Sequence, residues 1–251
     1  MSGHSKWSTI KHKKAILDAR RGKSWSKLAR AVTMAAKMGG GNPNDNPRLR
    51  LAIDKAKADN MPKDTIDKAV KKGTGEIEGV NYEDILYEGY GPAGVAVMAR
   101  VTTDNRNRTS GEIKKVFERA GGNLGSPNCV SFQFTSKGVI VVAREQASED
   151  RLMEIALDAG ADDVSSSEHI HEVTCRPEVY HEVKQGIEAS GIAIQSADIA
   201  MVANSSISLN LESARKVKRL IDALEEHDDV DAVYSNSDIP DDVVATLAKE
   251  A

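Results

Sequence analysis

The chain has 251 residues, of which 40% are apolar and only 4% aromatic, and it contains two cysteines. This length and composition favour more than one small domain packed with aliphatic side chains. Cys129 and Cys175 are too few and too far apart for a disulfide framework, which indicates a reducing compartment. Because no apolar run approaches the ~20 residues of a membrane span, we expect a soluble, cytoplasmic protein with no membrane partner.

The formal net charge of −4 conceals two segments of opposite charge. Residues 1–75 contain 18 lysines and arginines against 6 aspartates and glutamates, whereas residues 76–251 contain 16 against 32, giving +12 and −16. A positive segment of this size predicts a polyanionic partner, and nucleic acid is the leading candidate. Residues 2–30 also share the basic, acid-poor composition of organellar transit peptides, but their continuation into an organised helical pattern favours a folded domain.

Helices are predicted in the basic segment. Between residues 23 and 37 the apolar side chains recur at the spacing of one helical face. Asn46 suits an N-cap and Pro47 the first position of a second helix, while Pro62 can start a third helix with Gly73 at its C-terminal end. These patterns predict a small helical domain over residues 1–75 whose polar faces are rich in lysine and arginine.

Strands and helices alternate in the acidic remainder of the chain. Strands are expected at residues 85–87, 95–101, 130–134, 138–143, 168–175, 193–203, 207–211 and 230–234, and helices at 110–120, 148–159, 178–189 and 213–226. The series from about residue 130 to 204 is complete by itself, so the later elements should return to the first sheet. The predicted fold is multidomain α+β with antiparallel sheets: a basic helical domain (1–75), a discontinuous α+β domain (80–129 plus 205–251) and an inserted ferredoxin-like domain (130–204).

Cationic side chains are the candidate binding residues. Lysines and arginines clustered on helices can face one phosphate backbone and release its condensed counterions, and Trp7 can stack on an unpaired base. A single lysine is more simply explained as part of a solvated face, so the prediction depends on the cluster. The predicted nucleic-acid-binding residues are Lys6, Trp7, Lys11, Lys13, Lys14, Arg20, Arg21, Lys23, Lys27, Arg30, Arg48, Arg50, Lys55, Lys57, Lys71, Lys72, Arg106 and Arg108.

The two arginines near the end of that set belong to the segment Thr103-Asp104-Asn105-Arg106-Asn107-Arg108-Thr109, where a predicted strand gives way to a helix. One interpretation is that its backbone amides and two guanidinium groups grip a phosphate at the helix N-terminus. The other is ordinary capping by the asparagine, aspartate or threonine side chains, with the arginines paired to acidic groups. The sequence favours neither.

Signals for catalysis, metals and cofactors are weak. The run from Gly89 to Gly94 matches Gly-x-Gly-x-x-Gly, but a strand pattern rather than a helix follows it, which predicts a hairpin turn. His169, His171 and Cys175 fit no common zinc spacing. We therefore expect a protein that is not an enzyme and has no metal site or cofactor.

Several specific motifs resemble those of the YebC/PmpR family, in the same order over essentially the whole chain. They are Ser2-Gly3-His4-Ser5-Lys6-Trp7, the stretch from Asn46 to Lys57, Asn60-Met61-Pro62-Lys63-Asp64, Lys71-Lys72-Gly73-Thr74-Gly75, Tyr87-Glu88-Gly89-Tyr90-Gly91-Pro92, the segment from Thr103 to Thr109, and Gly122-Asn123-Leu124-Gly125. The resemblance implies a helical N-terminal domain and two α+β domains, one inserted in the other. Ala93 stands where the family usually has glycine.

The resemblance also implies a function in gene expression. Members are commonly described as cytoplasmic DNA-binding transcriptional regulators, so a DNA-binding regulator is the leading hypothesis. Some members, including a mitochondrial translational activator, act instead in translation, associate with ribosomes and ease the synthesis of difficult stretches such as consecutive prolines. Ribosomal or other structured RNA is therefore the alternative partner, which the absence of a recognisable base-reading helix also favours. A scaffold whose acidic surface captures basic partners is a second alternative.

Overall fold

The computed structural model describes residues 21–167 and 169–250. The helices are α1 (Arg21–Gly39), α2 (Pro47–Ala58), α3 (Lys63–Thr74), α4 (Arg106–Arg119), α5 (Glu149–Asp158), α6 (Tyr180–Ala189), α7 (Leu211–Glu226) and α8 (Asp241–Glu250). The strands are β1 (Glu83–Tyr90), β2 (Ala96–Thr103), β3 (Asn123–Leu124), β4 (Phe134–Ala143), β5 (Asp163–Ser166), β6 (Ile170–Cys175), β7 (Ile194–Ala203), β8 (Ile207–Ser208), β9 (Val230–Ser235) and β10 (Ser237–Asp238). Within these ranges, none of the helices has the length and apolar character of a membrane span.

The first three helices form the N-terminal domain. Val32, Leu49 and Ile66, one from each helix, lie in its buried core. Asn46 begins α2 as expected, because its side-chain oxygen accepts a hydrogen bond from the amide of Leu49 at 3.0 Å. The same side chain donates to the carbonyl of Ala35 at 2.8 Å, so the cap also ties α2 to the end of α1.

The middle domain is built on an antiparallel sheet with strand order β3-β1-β2-β9. One face of β2 packs with α4, α7 and α8 in a core that contains Val97, Phe117 and Leu220. The other face of β2 contacts the next domain through Met98 and Phe134. Since β9 follows the whole of that next domain and pairs with β2, the expected insertion of one α+β domain into another is confirmed.

The inserted domain has the antiparallel strand order β5-β6-β4-β7, with α5 and α6 in the connections. This is the βαββαβ arrangement of a split-βαβ fold. Its core includes Ile140, Leu152 and Ile187. Leu51 of α2 packs against this core, so the N-terminal domain contacts the inserted domain as well as the middle one.

Some elements differ from the sequence-based prediction. The strand expected at 130–134 begins only at Phe134, and a 3₁₀ turn occupies Ser131–Gln133. The carboxylate of Glu88 accepts hydrogen bonds from the amides of Asn128, Val130 and Ser131 at 2.9, 2.9 and 2.8 Å, so these amides are not available to a strand partner. Helix α3 also continues through Gly73 to Thr74, and its C-cap is Gly75, whose φ of 80° suits glycine. Strand β5 and helix α8 were not expected from the sequence.

Candidate nucleic-acid interface

Cations of α1 dock the N-terminal domain onto the end of α7. Lys27 Nζ donates to the carbonyl oxygen of Glu225 at 2.8 Å, and Arg30 Nη2 donates to the carbonyl oxygen of Asp228. The last carbonyls of a helix carry partial negative charge and attract cations. Two of the predicted phosphate-binding side chains are therefore used to hold domains together.

The carboxylate of Asp229 is the centre of this domain contact. It accepts hydrogen bonds from Thr109 Oγ1 at 2.7 Å, Thr103 Oγ1 at 3.1 Å and Arg108 Nη2 at 2.9 Å, and its other oxygen accepts from Arg30 Nη1 at 2.8 Å. Burial alone would raise the pKa of Asp229, but these four donors outweigh it and lower the pKa to about 2. Asp229 is thus a charged anchor shared by two domains. We call Arg30, Thr103, Arg108, Thr109 and Asp229 the Asp229 clamp.

The clamp explains the segment from Thr103 to Thr109. Asn105 caps α4, since its side-chain oxygen accepts from the amide of Arg108 at 3.1 Å. Arg108 pairs with both Asp104 and Asp229 at 2.9 Å, while Arg106 is exposed. The arrangement agrees with capping and ion pairing rather than with a phosphate grip.

Other predicted binding residues also bond to protein groups. Arg48 pairs with Asp84 of β1, and Lys55 pairs with Asp198 of β7 at 2.6 Å. Arg50 donates to the carbonyls of Pro43 and Asn44, both at 3.1 Å, and so fastens the loop before α2. We leave Lys27, Arg30, Arg48, Arg50, Lys55 and Arg108 out of the candidate interface, because protein acceptors already hold their donors.

A second set of cations faces solvent. Lys63, Lys68, Lys71 and Lys72 of α3 are exposed, and none forms an ion pair with a carboxylate in the described part of the chain. We call these four residues the α3 lysine face. Lys57 at the end of α2 is exposed as well. Lys71 and Lys72 stabilise the last turn of α3 through its dipole, but Lys68 and Lys72 are like charges at i and i+4, which costs helix stability.

The α3 lysine face contains two residues that sequence reasoning missed. The set predicted from sequence lacks Lys63 and Lys68, although their position in a helix with Lys71 and Lys72 is a signal that indicates them. Six predicted residues lie outside the described ranges: Lys6, Trp7, Lys11, Lys13, Lys14 and Arg20. Arg21 and Lys23 lie in the first turn of α1.

The glycine run, His171 and Cys175 are the groups in the sequence that could indicate a cofactor or metal site. The structure places the glycine run at a turn and buries both side chains. The run from Gly89 to Gly94 joins two antiparallel strands, β1 and β2, as predicted. His171 is buried, with Nδ1 2.6 Å from Ser166 Oγ and Nε2 3.1 Å from the carbonyl of Ala147. Burial raises the pKa of the Cys175 thiol to about 11. In the described ranges, no three His, Cys, Asp or Glu side chains are grouped to hold a metal ion.

Comparison with known proteins identifies relatives over the whole chain. Two family models match, one described as the TACO1/YebC protein N-terminal domain over residues 5–76 and one as the TACO1/YebC second and third domain over residues 82–237. A relative from Geobacter sulfurreducens is 52% identical over 239 residues, covering 95% of this chain and 96% of its own. One from Elusimicrobium minutum is 47% identical over 250 residues, covering 99% and 100%. Both bear the name "Probable transcriptional regulatory protein".

A solved structure has the same fold. It is the crystal structure of a conserved hypothetical protein from Aquifex aeolicus, which is 49% identical in sequence and superposes with a TM-score of 0.83. The match covers 92% of this chain and 96% of the Aquifex chain. The likeness therefore includes the N-terminal helices together with both α+β domains.

Proposed function

Because the chain belongs to the TACO1/YebC family, we propose that it regulates gene expression by binding nucleic acid through the α3 lysine face, without a catalytic step. Its relatives bear the name "Probable transcriptional regulatory protein", which supports the regulatory role. The observation that carries the binding proposal is the division of the N-terminal cations into two sets. One set bonds to the protein, whereas Lys63, Lys68, Lys71 and Lys72 remain exposed and without carboxylate partners among the described residues.

The unpaired cations suit phosphates. Lysine ammonium groups are compact point charges that bind phosphate oxygens, and each contact releases a condensed counterion. On duplex DNA each contact contributes about −0.9 to the slope of log K against log salt concentration, and on a single strand about −0.7. Four lysines would thus supply a slope of about −3 to −4.

Two kinds of nucleic acid are candidates. The names of the relatives favour DNA at regulated genes. The composition of α3 favours structured RNA such as that of the ribosome, since the helix Lys63–Thr74 has no Arg, Asn or Gln and its lysines are point charges suited to phosphates. Arg48 and Arg50 of α2 are held by protein acceptors. The same binding surface would serve either a cytoplasmic role in transcription or a role in translation.

A charge-removal experiment tests the binding surface. Changing Lys63, Lys68, Lys71 and Lys72 together to Gln should weaken binding to DNA and RNA and lower the steepness of the salt dependence by about 3. The matched control changes four lysines of the two α+β domains, Lys114, Lys115, Lys184 and Lys216, to Gln, and should leave the slope unchanged. Equal slopes for wild type and the α3 variant would refute the proposal.

Recovery of the bound nucleic acid then separates the two candidates. Crosslinking in cells followed by sequencing should yield a few promoter regions for a transcriptional regulator, or ribosomal RNA for a translation factor. A DNA regulator should also prefer its site over shuffled DNA by about 1000-fold or more. Recovery of neither class would favour an acidic scaffold for basic partners.

A further inference from the structure

A groove of about 690 Å³ lies at the interface between the N-terminal and middle domains. Helices α1 and α3 form its walls, and each lines it with four residues spaced as one helical face. Tyr82 and Asp228 of the middle domain complete it. Its volume falls in the range of ~300–1,000 Å³ that is typical of ligand pockets in proteins.

The groove is positively charged. Lys68 and Lys72 line it against the carboxylate of Asp228, while Arg30, which also lines it, is already paired with Asp229. Arg30 uses Nη1 and Nη2 to hold Asp229 and the carbonyl of Asp228, so it contributes to the wall of the groove and not to its unpaired charge.

The two lysines give the groove its positive charge. Lys68 and Lys72 repel each other at i and i+4, and neither has an ion-pair partner among the described residues. Anionic groups placed between them would remove that repulsion. Tyr82, which is half-buried at the groove, adds an aromatic side chain of the kind on which bases stack.

We propose that this groove binds a segment of single-stranded nucleic acid, with phosphates at Lys68 and Lys72 and an unpaired base at Tyr82. The proposal rests on the proposed function and specifies its ligand. A duplex keeps its bases paired and stacked, so it can touch the outward lysines, Lys63 and Lys71, which are exposed and outside the groove lining, but it cannot place a base in the groove between α1 and α3. The groove therefore distinguishes single strands from duplexes, while the outward lysines do not.

Two pairs of substitutions on one helix test this assignment. The groove pair is Lys68→Gln with Lys72→Gln, and the matched control pair is Lys63→Gln with Lys71→Gln, which removes the same charge from exposed positions outside the groove lining. The probe is a fluorescein-labelled RNA decamer of mixed sequence, used alone and annealed to its complement. Fluorescence anisotropy of the full-length variants gives the affinities, and circular dichroism checks that each variant is folded.

The groove pair should lose affinity for the single strand by about tenfold or more and abolish the preference over the duplex. The control pair should weaken both probes alike and keep the preference. Tyr82→Leu, which keeps an apolar side chain, should weaken only the single strand, by about tenfold.

Equal losses from the two pairs, with no effect of Tyr82→Leu, would overturn the groove assignment while leaving a general phosphate-binding face. No loss from either pair would instead refute the proposed function itself. Displacement of the labelled strand by adenosine monophosphate at the same nucleotide concentration would assign the groove to a free nucleotide and also overturn the inference.

Discussion

The Asp229 clamp makes a quantitative prediction for Asp229→Asn. The asparagine keeps the shape of the side chain but has no charge, and its amide nitrogen is a donor that faces other donors. The lowering of the Asp229 pKa from 3.8 to about 2 corresponds to about 2 kcal/mol at neutral pH. Asp229 is 7% exposed, but its partner Arg108 is 44% exposed, so solvent screens part of this energy. The variant also leaves Arg30 uncompensated at 14% exposure, which adds to the loss. We expect destabilisation of about 1–3 kcal/mol.

Urea denaturation at several pH values measures this effect. The folded pKa of Asp229 lies below its unfolded value, so its contribution is complete above about pH 4 and is lost as the pH falls towards 2. The difference in the free energy of unfolding between wild type and Asp229→Asn should therefore shrink over that window. Asp104→Asn is the control, because Asp104 is 43% exposed and solvent screens its pair with Arg108, so this variant should lose much less stability than Asp229→Asn.

Two results would refute this account of the clamp. One is a free energy of unfolding for Asp229→Asn within about 0.5 kcal/mol of wild type at pH 7, which is the size of an ordinary surface substitution. The other is a difference in the free energy of unfolding between the two proteins that stays constant on acidification. Once the wild-type carboxylate is protonated, it no longer makes the ionic interaction that the variant lacks, so the difference should vanish.

Three further substitutions should change stability in directions set by the structure, each measurable as a free energy of unfolding in urea. Ala93→Gly should stabilise the protein by about 0.5–1 kcal/mol, because Ala93 has a φ of 59°; a loss of stability would show that the turn is unstrained. Gly73→Ala should destabilise the protein by about 1–3 kcal/mol, since the added Cβ would lie 2.3 Å from the carbonyl oxygen of Thr33. Unchanged stability would mean that α1 and α3 can move apart at no cost to make room for the methyl group. Glu88→Gln should destabilise the protein by about 1–3 kcal/mol, because the buried carboxylate accepts hydrogen bonds from three backbone amides and glutamine replaces one of its acceptor oxygens with a donor. Wild-type stability of this variant would contradict the role of Glu88 in holding residues 128–131.

Local chemistry made much of the fold predictable from sequence. The cap at Asn46 followed by Pro47 places the start of α2 at Pro47, as the structure has it, and the hairpin at Gly89 to Gly94 follows from the strand pattern after the glycines. These features depend on residues that are neighbours in the chain, so the sequence alone contains the information needed to predict them. The return of β9 to the first sheet was also inferable, because the elements between form a complete domain.

Contacts between distant residues could not be read from the sequence. Asp229 lies 199 positions from Arg30 and 121 from Arg108, and nothing in the local pattern of any of the three indicates the others. The capture of three amides by Glu88 likewise replaced an apparent strand at 130–134 with a turn. The donors that offset the burial of these carboxylates come together only in the folded molecule.

The charge asymmetry of the sequence has two physical meanings. Part of it is complementarity within the molecule, because Arg30, Arg48 and Lys55 of the basic domain pair with Asp229, Asp84 and Asp198 of the acidic body. The other part remains on the α3 lysine face. A count of charges cannot separate the two, since both sets lie on helices with similar composition.

Mapping the crosslinks between the full-length protein and its bound nucleic acid tests the central claim most directly. After ultraviolet irradiation and nuclease digestion, mass spectrometry locates the peptides that carry a nucleotide. We predict nucleotide-bearing peptides that contain α3, Lys63–Thr74, and Tyr82. Crosslinks confined to the acidic body, with none on α3 or Tyr82, would contradict the account.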